Sequence, residues 1–575
     1  MKKKVIPALI AIVLIILIAG IALGGMILEK YSYSDEMADL NEYFDITDAN
    51  QVPILYRGSK LETKLINKDN NLYLDLDSVH ELLNERFYWD NRENWLIYAT
   101  PTAKMMAQIG DSSYTITDGR GNPSEAEGEN LGYAICYTEG EGDNATLYVA
   151  LEYVHKFTNF EYRVYEDPKR VVLVTEDRDC EEVTVTKESA VRHRGGVKSP
   201  ILEKVAEGDK LILLEEMEDW SKVETDDGLI GYIEKKHYEG PVSTVKTMAS
   251  NYTEPEYTSL TSDSKISLGW HVVAGVAGND TIYEATAYQK GMDVISPTWF
   301  KLADDAGNMT SFATQSYVNA AHNMGLKVWG LVDDFSNDVS DYEILSYTSK
   351  RERMIDFLIT EALNSGLDGI NVDFEKVSND AGPHYVEFLR ELSIECRAKG
   401  LVLSVDDYVP YNFNSQYNIP AQGEVADYVI IMGYDEHYHG SGDPGSVASI
   451  DYVKHGITET LKSVPANKVI NALPLYTIQW RTNGATVTDD YVTMNNQADM
   501  VSRLGGSYVW DETTCQNYLE VNSGGTLYQV WLEDAESIQV KLNVMKANEI
   551  GGVAVWRLGY EDPAIWNIIS AYSEN

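Results

Sequence analysis

The sequence predicts a multidomain α/β protein: a (β/α)8 TIM barrel over residues 264–575, a small β barrel and an α+β module ahead of it, and an N-terminal transmembrane helix. Three observations carry that prediction. Strand-like and helix-like segments alternate eight times in the C-terminal part; short β-branched and aromatic runs broken by Gly, Asn and Asp fill the middle; and an uncharged apolar run follows the first residues.

The N-terminus sets the compartment. Lys2-Lys3-Lys4 precede an uncharged run from Val5 to Leu28, which at ~1.5 Å per residue is long enough to cross a hydrocarbon core of ~30 Å. Residues 5–28 are therefore expected to anchor the chain in the cell membrane as a single pass, with the lysines inside and the bulk of the chain extracellular. Small residues at Ala19-Gly20 and Gly24-Gly25 keep a cleaved signal peptide as the alternative, and either reading exports the rest.

At 575 residues the chain exceeds a single core. Its 90 acidic against 46 basic residues leave a net charge of −44, which repels phosphate backbones and argues against a nucleic-acid partner. Cys136, Cys180, Cys396 and Cys515 form no CxxC or CxxH pattern, so a thiolate zinc site is not expected and the thiols read as mostly unpaired. No cofactor and no metal is expected, and oligomeric state has no signature in the sequence.

Residues 35–178 read as an α+β module, with strand-like Leu72-Tyr73-Leu74, an acidic helix around Val79 to Glu85 and a further strand from Trp95 to Thr100. That order resembles the small repeat at the N-terminus of copper amine oxidases and in many bacterial surface proteins. With no His cluster, the resemblance implies a spacer or wall-binding module and no copper. Residues 181–240 give short strands every few residues, among them Glu182 to Thr186, Leu211 to Leu214, Trp220 to Val223 and Gly228 to Ile233. This pattern resembles a bacterial SH3 domain, which implies binding to cell-wall peptides or a rigid spacer, with Trp220 as core filler. Residues 241–263, rich in Ser, Thr, Tyr and Glu, read as a linker.

The eight strand candidates are Ile266–Val273, Met292–Pro297, Lys327–Val332, Gly369–Glu375, Val402–Val405, Tyr428–Met432, Val469–Leu473 and Val553–Trp556. Amphipathic stretches such as Thr314 to Met324 and Arg351 to Ser365 lie between them. An open doubly wound sheet is the alternative, but no Gly-rich phosphate loop follows any strand. A barrel places its active site at the C-terminal ends of the strands.

On the fourth strand, alternation puts Asn371, Asp373 and Glu375 on one face and Ile370, Val372 and Phe374 on the other. Polar groups on a buried strand are costly unless used, so two carboxylates and an amide there point to acid–base chemistry. Burial and the like charge of Asp373 are expected to raise Glu375, keeping a proton on it near neutral pH.

Asp368 to Glu375 resembles the DGxDxDxE signature of glycoside hydrolase family 18. Met432-Gly433-Tyr434-Asp435 after the sixth strand resembles the family's MxYD element, and Gly551 to Gly559, with Trp556, its closing strand. The resemblance implies substrate-assisted retaining hydrolysis, in which the sugar's 2-acetamido oxygen attacks. Glu375 would be the general acid and then base, Asp373 would hold the acetamido N–H, and Tyr434 would bind its carbonyl oxygen. Trp556 would floor the sugar, and Asn371, Asp435 and Met432 would complete the substrate site.

Asn371 departs from the pattern, since chitinases carry Asp there. Together with the SH3-like module, it resembles the spore-cortex-lytic and other peptidoglycan-directed members. The expected substrate is thus the N-acetylglucosaminyl bond of peptidoglycan, cut by an endo-β-N-acetylglucosaminidase-like glycosidase. A chitinase and a lectin-like binding protein of the same fold are the alternatives. His437 and His439 sit beside acids after the sixth strand, but HxH alone is a poor metal signal. Tyr476 to Ala547, with Trp480, Tyr508, Trp510, Tyr528 and Trp531, is expected to wall the cleft.

Overall fold

The computed structural model describes residues 5–119 and 128–574; Lys2-Lys3-Lys4 fall outside the described residues. The chain divides into two compact units, one built from residues up to Phe87, Ile109–Ser112 and Leu131–Glu254, the other from Tyr88–Gln108, Ser113–Asn130 and the chain from Pro255 on.

The first unit opens with the helix Val5–Tyr31, whose segment Leu9–Tyr31 is long and apolar enough to cross a membrane and has no part buried. Three residues later the chain pairs with a sheet edge: Ser34 N–H donates to Val197 O and Ala38 N–H to Ile201 O, both at 2.8 Å. A seven-stranded sheet follows, with Gln51–Tyr56 parallel to Arg170–Val174 and antiparallel to Ser59–Lys68. Its helix, Leu76–Leu82, starts where the Asp75 carboxylate accepts from Ser78 N–H at 2.9 Å, satisfying an otherwise orphaned helix donor.

A second seven-stranded sheet, spanning Arg178–Val185 to Tyr238–Lys246, is antiparallel throughout. Val183, Val185, Val191, Val205, Leu211, Val223 and Ile233 fill its interior. Trp220 does not. In Trp220–Glu224 alternation turns Ser221 and Val223 inward, so the indole faces outward and lines a cavity of about 400 Å³ with Tyr33, Ser189, Arg192 and His237. Phe44, Leu55, Leu202 and Leu229 pack the two sheets together.

The second unit is an eight-stranded parallel barrel. Its strands are β1 (Ile266–His271), β2 (Val294–Leu302), β3 (Lys327–Asp333), β4 (Gly369–Asp373), β5 (Val402–Tyr408), β6 (Tyr428–Met432), β7 (Val469–Pro474) and β8 (Gly552–Trp556). Each pairs with the next, and β8 pairs back to β1, which closes the ring. Gly552 permits that closure, because a Cβ there would come within 2.2 Å of Ile266 O. Ile370, Val372 and Phe374 of the β4 segment join the outer core under the helices, while Leu268, Trp270, Leu331, Ile430 and Ala554 fill the lumen. β4 ends at Asp373, so Glu375 stands just past the strand rather than on it.

Two helices, α1 (Thr348–Ser365) and α2 (Gly382–Lys399), follow β3 and β4 and end at left-handed Gly366 and Gly400. The antiparallel sheet from Phe87–Asp90 to Gly128–Asn130 packs on these helices. Polar anchors hold it there: Thr348 N–H donates to Asp90 Oδ2 at 2.7 Å, and Lys104 Nζ lies 2.8 Å from Glu352 Oε1. Beneath them Arg351, with its side chain fully buried, bonds Glu391 Oε1 at 2.9 Å and the Tyr88 hydroxyl at 3.1 Å. Of the expected linker, residues 241–246 are strand, and the part before β1 is strapped to the barrel, with Leu260 N–H donating to Asp427 Oδ1 and Ser262 N–H to the Tyr428 hydroxyl, both at 2.7 Å.

Residues between β7 and β8 form a five-stranded sheet, from Tyr476–Asn483 to Thr526–Leu532. Trp480 is buried in it and donates to Gly445 O at 2.8 Å, tying the sheet to the loop after β6. Tyr508 is exposed, while Trp510, Tyr528 and Trp531 are half-buried. All four cysteines are free, with Cys136 and Cys396 buried and Cys180 and Cys515 half-buried.

Candidate active site

At the C-terminal end of the barrel strands a cavity of about 170 Å³ opens. Six of the seven residues expected at the site line it: Met432, Tyr434 and Asp435 at the end of β6, Asp373 at the end of β4 with Glu375 just past it, and Trp556 at the end of β8. The Trp556–Arg557 peptide beside it is cis. Asn371, the seventh, is fully buried one inward step below Asp373. Four further lining residues carry no mark in the sequence motifs: Trp270 of β1, Phe335 after β3, and Asp406 and Tyr408 of β5. A β-strand rich in acids, Val405-Asp406-Asp407-Tyr408, was the available signal for the last two.

Asn371 is held from three sides. Its Oδ1 accepts from Trp270 Nε1 at 2.9 Å and from Ser296 Oγ at 3.0 Å, and its Nδ2 donates to Asp406 Oδ1 at 2.8 Å. An indole N–H only donates, so the amide orientation follows from the chemistry. Tyr434 is nearly buried beside these groups, and burial, followed by the charges of Asp373, Glu375, Asp406 and Asp435, holds its hydroxyl protonated.

Glu375 takes its position from β3 and β5. The Asp334 carboxylate accepts from Glu375 N–H at 3.0 Å and from Lys376 N–H at 2.6 Å. In return Lys376 Nζ donates to Phe335 O at 2.9 Å, so the two loops clamp each other. The Tyr408 hydroxyl donates to Glu375 Oε2. Asp435, in a left-handed conformation at φ 61°, accepts from the Tyr476 hydroxyl.

Burial raises Glu375, and Asp334, Asp435 and Asp333 add to it against the opposing Tyr408 bond. Asp373, expected to supply that like charge, is itself held well above the carboxylate range by burial, then by Asp406, Glu375, Asp334 and Asp333. The geometry thus offers a sheltered proton donor, a second carboxyl beside it, a phenol and an indole wall around one sugar-sized opening.

The histidines after β6 turn to different partners. His439 Nδ1 pairs with the Asp489 carboxylate, while His437 Nδ1 lies 3.0 Å from Asp443 O.

Comparison with known proteins agrees with this geometry. Residues 270–561 match the glycosyl hydrolases of family 18, and residues 187–238 match the bacterial SH3 domain. The Bacillus subtilis (strain 168) protein named uncharacterized glycosylase YvbX is 26% identical over 311 residues, covering 52% of this chain and 90% of that protein. The cortical fragment-lytic enzyme of Bacillus subtilis (strain 168) is 28% identical over 246 residues, 41% of this chain, and the match spans only 56% of that enzyme. The fold matches the crystal structure of the C-terminal domain of a candidate chitinase from Desulfitobacterium hafniense DCB-2, with a TM-score of 0.50 at 19% identity over 54% of this chain and 99% of that one. The family match spans half of the sequence and includes the strand ends that line the cavity; the chain belongs to glycosyl hydrolase family 18, with a bacterial SH3 domain ahead of its barrel.

Proposed function

We propose that this is a membrane-anchored, extracellular endo-β-N-acetylglucosaminidase that cuts peptidoglycan with retention of configuration. The observation that carries the reading is the placement of Glu375: half-buried, raised by burial, and one inward step from Asp373 in a cavity closed by Tyr434 and Trp556. Glu375 delivers its proton to the glycosidic oxygen as the bond to C1 breaks, and the acetamido oxygen bonds to C1 in its place. Asp373, as carboxylate, accepts from the acetamido N–H and offsets the oxazolinium charge, while Tyr434 donates to the acetamido oxygen. Trp556 packs under the apolar face of the sugar, with Met432 and Asp435 at its edge. Glu375, now anionic, takes a proton from the water that opens the oxazolinium ring.

A wall substrate is favoured by the relatives named as cortical fragment-lytic enzymes and by an apolar N-terminal helix followed at once by the SH3 domain edge. The amine-oxidase-like reading of residues 35–178 assigns them a spacer or wall-binding role.

The full chain in detergent, incubated with purified peptidoglycan and with chitin oligomers, tests this by mass spectrometry of the new reducing ends. Muropeptides ending in N-acetylglucosamine are expected. Cleavage of chitin alone makes the protein a chitinase, and binding without cleavage makes it lectin-like. Glu375→Gln is expected to abolish hydrolysis while keeping sugar binding; undiminished turnover in that variant rejects the mechanism.

A further inference from the structure

The carboxylate missing at position 371 is present one strand away. Register sets Asn371 beside Ser404 and Val372 beside Val405, so the next inward pair is Asp373 beside Asp406, and neighbouring strands lie ~4.8 Å apart. Both side chains are buried, at 4% and 1% exposure, and both line the cavity. Asp373 Oδ1 has no hydrogen-bond partner among the described residues. Asp406 Oδ1 is taken by the Asn371 amide, whose orientation Trp270 and Ser296 enforce. Asn371 therefore aims Asp406 at the site instead of supplying a carboxylate itself.

We infer that Asp406 is the proton-sharing partner of Asp373, a positioning residue that performs from β5 the task a carboxylate at 371 would perform from β4. This rests on the glycosidase reading above and deepens it. Two adjacent buried carboxyls do not both ionise, so the pair holds one proton. The Asn371 N–H that donates to Asp406 Oδ1 favours the anion on Asp406, so we place the proton on Asp373 while the site is empty. When an acetamido N–H approaches, the O–H bond on Asp373 breaks and one forms on Asp406, leaving Asp373 anionic where positive charge develops. The other charged and titratable groups facing the pair are Glu375, Asp333, Asp334 and Tyr408 at Asp373, Glu375, Asp407 and Tyr385 at Asp406, and Tyr434 at both.

The test is an exchange. On the N-acetylglucosaminyl substrate that the wild type cleaves, Asp406→Asn is expected to lower kcat about tenfold or more with KM within about twofold. Asn371→Asp, which crowds a third acid into the site, is also expected to lower kcat. The double variant Asn371→Asp/Asp406→Asn restores one carboxyl and one amide with reversed hydrogen bonds, and is expected to recover most of the wild-type kcat. Because the exchange also remakes the hydrogen bond between positions 371 and 406, the readout that a merely structural role would not move is the kcat–pH profile, which is expected to shift in Asp406→Asn and to return in the double variant. Unchanged kcat in Asp406→Asn, or a double variant no better than the worse single, overturns the inference. Should Asp406→Asn fail to fold, infrared spectra of the wild type decide. A protonated carboxyl band at pH 7 that Asp373→Asn removes supports the shared proton, and its absence overturns it. If the wild type cleaves no such substrate, the glycosidase reading fails while the infrared result still judges the pair.

Discussion

The Tyr408 hydroxyl donates to Glu375 Oε2 at 2.5 Å, bridging the loop after β4 to the end of β5. A hydrogen bond to the anion favours the anion, so this contact pulls Glu375 down against the burial that raises it. In the proposed mechanism Glu375 must start protonated.

Tyr408→Phe is therefore expected to raise Glu375 further and to keep its proton on to higher pH. The alkaline limb of kcat/KM should move upward in pH, with the acid limb little changed. A pH–rate series on wild type and variant checks this, and a downward shift of the alkaline limb contradicts the assigned role.

Behind the clamp, the Asp341 carboxyl is pushed up to about 8 by burial and by Asp334. Its ordinary value is 3.8, so the folded state holds a proton that the unfolded state has released. The stability this contributes is complete below the ordinary value and is lost as pH rises through about 8. Asp341→Asn carries its hydrogens at every pH. Its unfolding midpoint, relative to wild type, should rise between pH 6 and 9; a difference that does not grow with pH contradicts a proton retained on Asp341.

Arg351 is the cation beneath the sheet that covers α1 and α2, and Glu387 and Glu391 face it from α2. Arg351→Met would leave Glu391 with Lys104 at 3.7 Å as its other ion-pair partner. The loss of one partner from a buried pair costs about 3–5 kcal/mol. Urea unfolding followed by tryptophan fluorescence should show that loss. A change below about 1 kcal/mol would make the network dispensable, as exposed pairs are.

Asp334→Asn keeps one acceptor oxygen but turns an amide toward the backbone N–H of Glu375 or Lys376, where both oxygens now accept. The expected result is a lower kcat with little change in KM, because the acid is displaced rather than removed. Equal kcat in the variant would show that Tyr408 and the strand end suffice to place Glu375.

Much of this was legible in the sequence because its signals are local. Period-two alternation around Val372 separates Asn371 and Asp373 from Ile370 and Phe374, and an uncharged run after three lysines marks the N-terminal helix without any tertiary contact. The eight strands likewise follow from apolar runs between amphipathic stretches. The rest depended on distance in sequence collapsing in space. Parallel register between β4 and β5 brings Asp406 beside Asp373 and Tyr408 to Glu375, and the end of β3 brings Asp334 to the backbone of Glu375 and Lys376. Which acids act on Glu375 is likewise a property of burial and separation, which is why Asp334 and Asp435, distant in sequence, raise it. By itself the sequence determined the strand faces and the residue types at the strand ends, since those depend on neighbours along the chain; only the tertiary structure decided which carboxyls share a wall, because barrel closure and register set that pairing.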